Sequence, residues 1–156
     1  MIEDSVESFI LQFKPYAADV EILPRIEGSP LLECLVSGKI LHLMERTAPY
    51  RSPTGRAKVI LNPVSEQVTL SQETKKTFSA PVLGRLKAQG VVLERDTRVI
   101  VMDAGVPIVV SSFNDIPTTI APGDWVSFES LAPLHGFVLL PEKRGNQRQD
   151  NEGDAI

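Results

Sequence analysis

The chain has 156 residues, of which 42% are hydrophobic and 23% charged, a size and balance that fit one globular domain and exclude fibrous and intrinsically disordered classes. At this length roughly 70% of the unfolded surface can be buried in a single core, so a second domain is not expected. The formal net charge of −4 conceals an uneven distribution: residues 1–37 carry net −5, residues 38–98 net +6, residues 99–141 net −4 and residues 142–156 net −1, so the middle of the chain can set up a positive field that the total hides.

No stretch reaches the roughly 18 uninterrupted apolar residues of a membrane-spanning helix. The start, Met1-Ile2-Glu3-Asp4, is acidic where a secretory signal is basic. An intracellular protein, cytoplasmic or nuclear, with no membrane partner is the expectation. The one cysteine, Cys34, lies in the apolar run Leu31-Leu32-Glu33-Cys34-Leu35-Val36, where a thiol packs as a small hydrophobe. A lone cysteine forms no intramolecular disulfide and fits a reducing compartment.

In chain order, Ile2, Val6, Phe9, Ile10 and Phe13 share one face of a helical period with Glu3, Asp4 and Glu7 opposite, which predicts an amphipathic helix stopped by Pro15. Acidic residues in its first turn suit the helix dipole. Residues 16–30, punctuated by Pro24, Gly28 and Pro30, predict a connector with one short strand at 20–23. Residues 1–30 thus precede a β domain at 31–141. Residues 31–44 predict one long strand kinked at Ser37-Gly38. Residues 46–56, with two prolines, a glycine and three arginines, predict an exposed loop. Two short strands follow at 57–61 and 67–70 around a turn at 62–66. Ser79 as cap, Pro81 in the first turn and Gly90 at the far end predict a central helix that buries Val82, Leu83 and Leu86. The remainder predicts hairpins: 98–102 with 106–111 about Asp103-Ala104-Gly105, and 125–129 with 137–140 after Pro122-Gly123. Residues 142–156 offer almost nothing to bury and predict a disordered tail.

This order predicts a mainly β protein with minor α: a small closed or partly open antiparallel β-barrel with an N-terminal helix and one central helix. Closure removes exposed sheet edges. Five strands with a helix between the third and fourth, traced through residues 31–113, make it OB-like. That is an analogy of strand order, and it leaves the pair at 125–140 over.

The leading functional expectation is binding of single-stranded nucleic acid, or of a nucleic-acid-bound complex, by the basic block. Arg46, Arg51, Arg56, Lys58, Lys75 and Lys76 supply cations for phosphates, and Tyr50 and Phe78 supply rings for base stacking, worth on the order of 1–3 kcal/mol per base. The plain alternative for these residues is a solvated loop whose arginines pair with the acidic first block. The second expectation is a non-catalytic adaptor or homo-oligomeric subunit. Strand alternation puts Trp125 with Ser127 and Glu129, away from Val126 and Phe128, so Trp125 leans towards a protein interface. Phe9 and Phe13 of the leading helix, or the tail, are further candidate contacts, although packing on its own barrel is the simpler use of the helix.

Catalysis is not expected. Cys34 has only His42 and His135 as possible activators, and His42 lies eight residues on along one extended strand, roughly 26 Å away. Three such residues this far apart make no zinc site, and no phosphate-cradling glycine pattern is present. No metal or cofactor is expected. Carboxylate pairs such as Asp103 with Asp115 are common to any acidic protein.

Overall fold

The computed structural model describes residues 3–47 and 54–139. Tyr50, Arg51 and the 142–156 tail lie outside the described residues. The leading helix is present as α1 (Glu3–Phe13), continued by a one-turn 3-10 segment (Lys14–Tyr16) that contains Pro15. The strands are β1 (Ala18–Ile22), β2 (Leu31–Val36), β3 (Lys39–Glu45), β4 (Gly55–Ser65), β5 (Thr69–Leu70), β6 (Thr77–Ser79), β7 (Lys87–Arg95), β8 (Val99–Asp103), β9 (Pro107–Ser112) and β10 (Trp125–Leu139).

Four expectations need correction, each for a local physical reason. Residues 31–44 form a hairpin instead of one kinked strand. Ser37 and Gly38 both take positive φ, 49° and 81°, as a two-residue primed turn requires, and Val36 pairs with Lys39 across it. The turn expected at 62–66 is largely strand: the first of the two short strands, 57–61, extends to β4 (Gly55–Ser65), and the second, 67–70, is present as the short β5. Pro63 is tolerated inside β4 because the register with β10 slips there, between Leu131↔Val64 and His135↔Asn62, where a missing N–H costs no ladder bond. The pair at 125–140 is a single strand, β10, whose first half pairs with β7 and second half with β4 and β3.

The central helix is absent. Gly84 takes φ 78° within a turn, and from there Leu86, Ala88, Gly90 and Val92 are buried at every second position. Leu86 N–H donates to Ser130 Oγ, and Ser130 N–H donates back to Leu86 O, both at 2.8 Å. Pairing with β10 therefore overrides the capping pattern that favoured a helix.

The strands pair into one sheet that closes on itself. The meander β1–β2–β3 is completed by β10, parallel to β3, and by β4, antiparallel to β1. The meander β7–β8–β9 is completed by β4, parallel to β9, and by β10, antiparallel to β7. Two five-strand rings thus share the antiparallel pair β4–β10. The strand placed in the connector, β1, is a full member of the first ring.

Inward-facing residues of both rings form one apolar cluster that includes Ile22, Leu41, Leu61, Ile100, Ile108 and Val126. A second cluster lies outside the sheet, where Phe9 and Phe13 of α1 cover Ile60, Val101, Val109 and Phe137. Phe9 stacks on Phe137 with ring centroids 4.6 Å apart. The helix therefore packs on its own sheet, and the proposed outward role of Phe9 and Phe13 gives way to a structural one. Tyr16 fixes the end of this segment by donating its hydroxyl hydrogen to Glu94.

Candidate interaction face

The outer face of the β2–β3 hairpin is the most distinctive exposed surface among the described residues. Hairpin register sets three cross-strand pairs on it: Leu31↔Met44, Glu33↔His42 and Leu35↔Ile40. Leu31 is 59% exposed, Ile40 50% and Leu35 36%. Alternation sends Leu32, Cys34 and Val36 of β2, and Leu41 and Leu43 of β3, into the core, so the face is held by a rigid, fully packed reverse side. Glu33 and His42 meet at its centre, Oε2 to Nε2 3.1 Å. Other exposed apolar residues, such as Ile26, Leu83 and Phe113, stand in turns and loops.

Beneath this hairpin, Arg25 reaches from the β1–β2 connection to Glu45 at the end of β3, Nη1 to Oε1 2.9 Å, with both side chains buried. Thr47 Oγ1 donates to the other carboxylate oxygen at 2.5 Å. Glu45 N–H donates to Pro30 O at 2.6 Å. These contacts all tie the open end of the hairpin, and the turn at Ser37-Gly38 closes the other, where Val36 pairs with Lys39.

The basic block assembled from sequence is divided in space. Arg46, Arg56 and Lys58 lie at one end, where Arg46 N–H bonds Gly136 O and Lys58 pairs with Leu139. Lys75 and Lys76 lie at the other, where Gln89 Nε2 donates to Lys75 O and Gln89 stands opposite Ser127. Leu139 and Ser127 are twelve residues apart on β10, up to roughly 40 Å of extended strand. The acidic first block also returns to the basic one: Lys58 pairs with Asp19 at 2.8 Å, and Arg56 stands across from Glu21 in the β1–β4 register. Lys76 pairs with Asp103 and Arg98 with Asp115. Strand pairing thus cancels locally the charges that were segregated along the chain. Phe78 is only 6% exposed, with Lys39 Nζ 4.6 Å from its ring centre, so it is a core residue and no stacking platform.

Trp125 is half-buried on β10. Near it runs an open groove of about 440 Å³, lined among others by Ser65, Thr69, Arg85, Lys87, Ser127 and Glu129. Among the described residues no group of three or more His, Cys, Asp or Glu lies close enough to share a metal ion, and no helix is long and apolar enough to cross a membrane.

Two titratable groups give direct checks on the packing. Cys34 is fully buried, and burial pushes its thiol up to about 12 against a smaller lowering by Arg25. The nucleophilic thiolate is therefore scarce near neutral pH. Native protein is expected to react with a disulfide reagent at about pH 8 more slowly than the urea-unfolded chain by a factor on the order of 100 or more; comparable rates would contradict the buried placement. His135 is held below its usual 6.5 by burial and then by the charge of Arg46. The folded state favours the neutral ring, so this contribution to stability is complete above the unfolded value and is lost as pH falls through the depressed one. His135→Gln is expected to flatten the fall in urea midpoint between about pH 7 and about pH 5; an unchanged slope would assign the acid sensitivity elsewhere.

The β2–β3 face was not legible from the run of residues 31–44 read as one strand. The signal was present: a two-residue turn at Ser37-Gly38 places 31, 33, 35, 40, 42 and 44 on one face by alternation alone. Compared with protein-family models, with curated proteins and with solved structures, the chain matches none.

Proposed function

We propose that this chain is a non-catalytic protein-interaction module that holds a partner on the outer face of β2–β3. The observation that carries this is the row of exposed Leu31, Leu35 and Ile40 on a single rigid sheet face. Fully burying one Leu or Ile is worth roughly 1.5–3 kcal/mol, so these three part-covered side chains leave on the order of 3 kcal/mol to be gained by covering them. Exposed apolar side chains set among polar ones on one face are characteristic of protein contacts; here Leu31 with Met44 and Leu35 with Ile40 flank the Glu33–His42 pair, and Glu21 borders Leu35 across β1–β2. Trp125, at the far end of β10, is a secondary contact.

The finer architectural proposal is that the first ring is OB-like: five strands, a three-stranded meander and a Greek-key return. Such barrels bind their ligands on the face of the second and third strands, which here is the same β2–β3 surface. It carries aliphatic side chains and a carboxylate in place of aromatic rings and free cations, which favours a protein over an oligonucleotide.

A comparison of labelled baits tests this. The full chain, a Leu35→Glu/Ile40→Glu variant and a Leu83→Glu control are used to enrich partners from cells of origin, with abundance ratios measured by mass spectrometry. The expected result is a partner shared by wild type and control and lost from the double variant. Equal recovery on all three baits would overturn the proposal.

A second reading keeps single-stranded nucleic acid as ligand, favoured by Arg85 and Lys87 beside the groove near Trp125. It requires saturable oligonucleotide binding that weakens steeply with salt and is lost in Arg85→Ala/Lys87→Ala.

A further inference from the structure

We infer that the β2–β3 face receives an amphipathic α-helix from a partner protein, one with a basic residue in the middle of its apolar stripe; this rests on the docking proposal above and names its occupant. The two rings present equivalent hairpins. β2–β3 and β8–β9 are each the second and third strands of a meander, and in each the third strand runs parallel to one of the shared long strands. The β8–β9 hairpin is already covered. Its cross-strand pair Val101↔Val109 lies in the cluster formed with Phe9 and Phe13 of α1. The chain itself shows one outer hairpin face, together with Ile60 of β4 and Phe137 of β10 beside it, accepting an amphipathic helix.

The dimensions agree. Two strands about 4.8 Å apart with their side chains make a strip roughly 10 Å wide, and six residues make it roughly 20 Å long. An α-helix is about 10–12 Å across, and about 13 residues span 20 Å. Helical turns repeat at about 5.4 Å, near the roughly 6.6 Å between successive outward pairs of a hairpin, so three side chains one turn apart meet the three pairs.

The charges then choose among helices. At the centre of the covered hairpin stand two valines; at the centre of the open one stand Glu33 and His42. The apolar stripe of α1, made of Val6, Phe9, Ile10 and Phe13, carries no cation. A second copy's α1 would desolvate Glu33 and offer it nothing. A Lys or Arg at mid-stripe answers Glu33, while apolar residues one turn to either side rest on Leu31 with Met44 and on Leu35 with Ile40. The chain's own end is unsuited, because residues 142–154 contain no hydrophobic side chain.

The test is a selection on the immobilised full chain with two displayed libraries of equal length, alanine-rich helical peptides with one randomised face and linear unstructured peptides. Winners are titrated by fluorescence anisotropy against wild type and the Ile40→Glu, Glu33→Lys and Leu83→Glu variants. The expected winners are helices with Lys or Arg between apolar residues, weakened about tenfold or more by Ile40→Glu and unaffected by Leu83→Glu. Glu33→Lys is expected to weaken them about fivefold and to favour their Arg→Glu or Lys→Glu counterparts. Winners that depend on Ile40 but are linear, or are indifferent to Glu33→Lys, would overturn the helix and leave the docking face standing. No winner dependent on Ile40 from either library would overturn both.

Discussion

Gly90→Ala is expected to lower the free energy of unfolding by roughly 3 kcal/mol or more, the upper end of what overpacking a core costs. A Cβ built on Gly90 would stand 2.1 Å from Asp103 O, 2.7 Å from Asp103 C and 2.9 Å from Ala104 Cα. All three are backbone atoms, so no side chain can swing aside. The approach is close because β8 ends at Asp103 opposite Val91 and the chain turns over β7 at that point. A tight corner of this kind admits only hydrogen on the strand beneath it. Gly105→Ala is the internal control: its φ is 98° but nothing lies within 4 Å of a built Cβ, so the cost is conformational, about 1 kcal/mol. Urea unfolding of the two variants checks both figures. A Gly90→Ala loss no greater than that of Gly105→Ala would mean that β7 and the β8–β9 turn do not meet as described.

Arg25→Ala is expected to cost roughly 3–5 kcal/mol, because it breaks a buried ion pair from one side only. Glu45 is 1% exposed and Arg25 9%. The hydrogen bond from Thr47 remains in the variant and holds the loss towards the lower figure. Replacing both partners by methionine removes both desolvation penalties and is expected to be near neutral, or stabilising by about 1–4 kcal/mol. The pair therefore specifies register more than it stabilises, tying the connection before β2 to the end of β3. A double-mutant cycle by urea unfolding separates these contributions; a cost below about 1 kcal/mol for Arg25→Ala alone would show that Glu45 is solvated or paired elsewhere.

The fold class was legible in the sequence because periodicity is local. The helix through Phe13, the hairpin about Asp103-Ala104-Gly105 and the β-rich composition follow from spacing and turn residues, without reference to the rest of the chain. Apart from the misread turn at Ser37-Gly38, the errors share one cause: strand continuity and pairing are settled by residues far away. Gly90 looked like a helix end because its neighbours satisfy capping rules, yet its constraint comes from Asp103, thirteen residues on. β10 looked like two strands, 125–129 and 137–140, yet β7, β4 and β3 pair along it on both sides of the irregularity between Leu131 and His135.

The candidate site follows the same division. The residue types for a basic surface were visible, but their cancellation was not. Asp19 meets Lys58, and Glu21 meets Arg56, only through β1–β4 pairing, which no run of neighbouring residues encodes. Phe78 was read by its cationic neighbours in sequence, whereas its place is set by β6 pairing with β7. The β2–β3 face lay within reach of local reasoning and was hidden by a single misread turn.

The most direct measurement on the central claim is site-specific photo-crosslinking in cells of origin, with a photoreactive residue at position 40 and, separately, at position 83. Both side chains are exposed and aliphatic, Ile40 by 50% and Leu83 by 70%, so hydrophobicity alone cannot distinguish them. A docking face at β2–β3 predicts one dominant protein adduct at position 40, absent at 83 and competed away by excess wild-type chain but not by Leu35→Glu/Ile40→Glu. Equal, diffuse labelling at both positions would contradict it and return Leu31, Leu35 and Ile40 to ordinary surface residues.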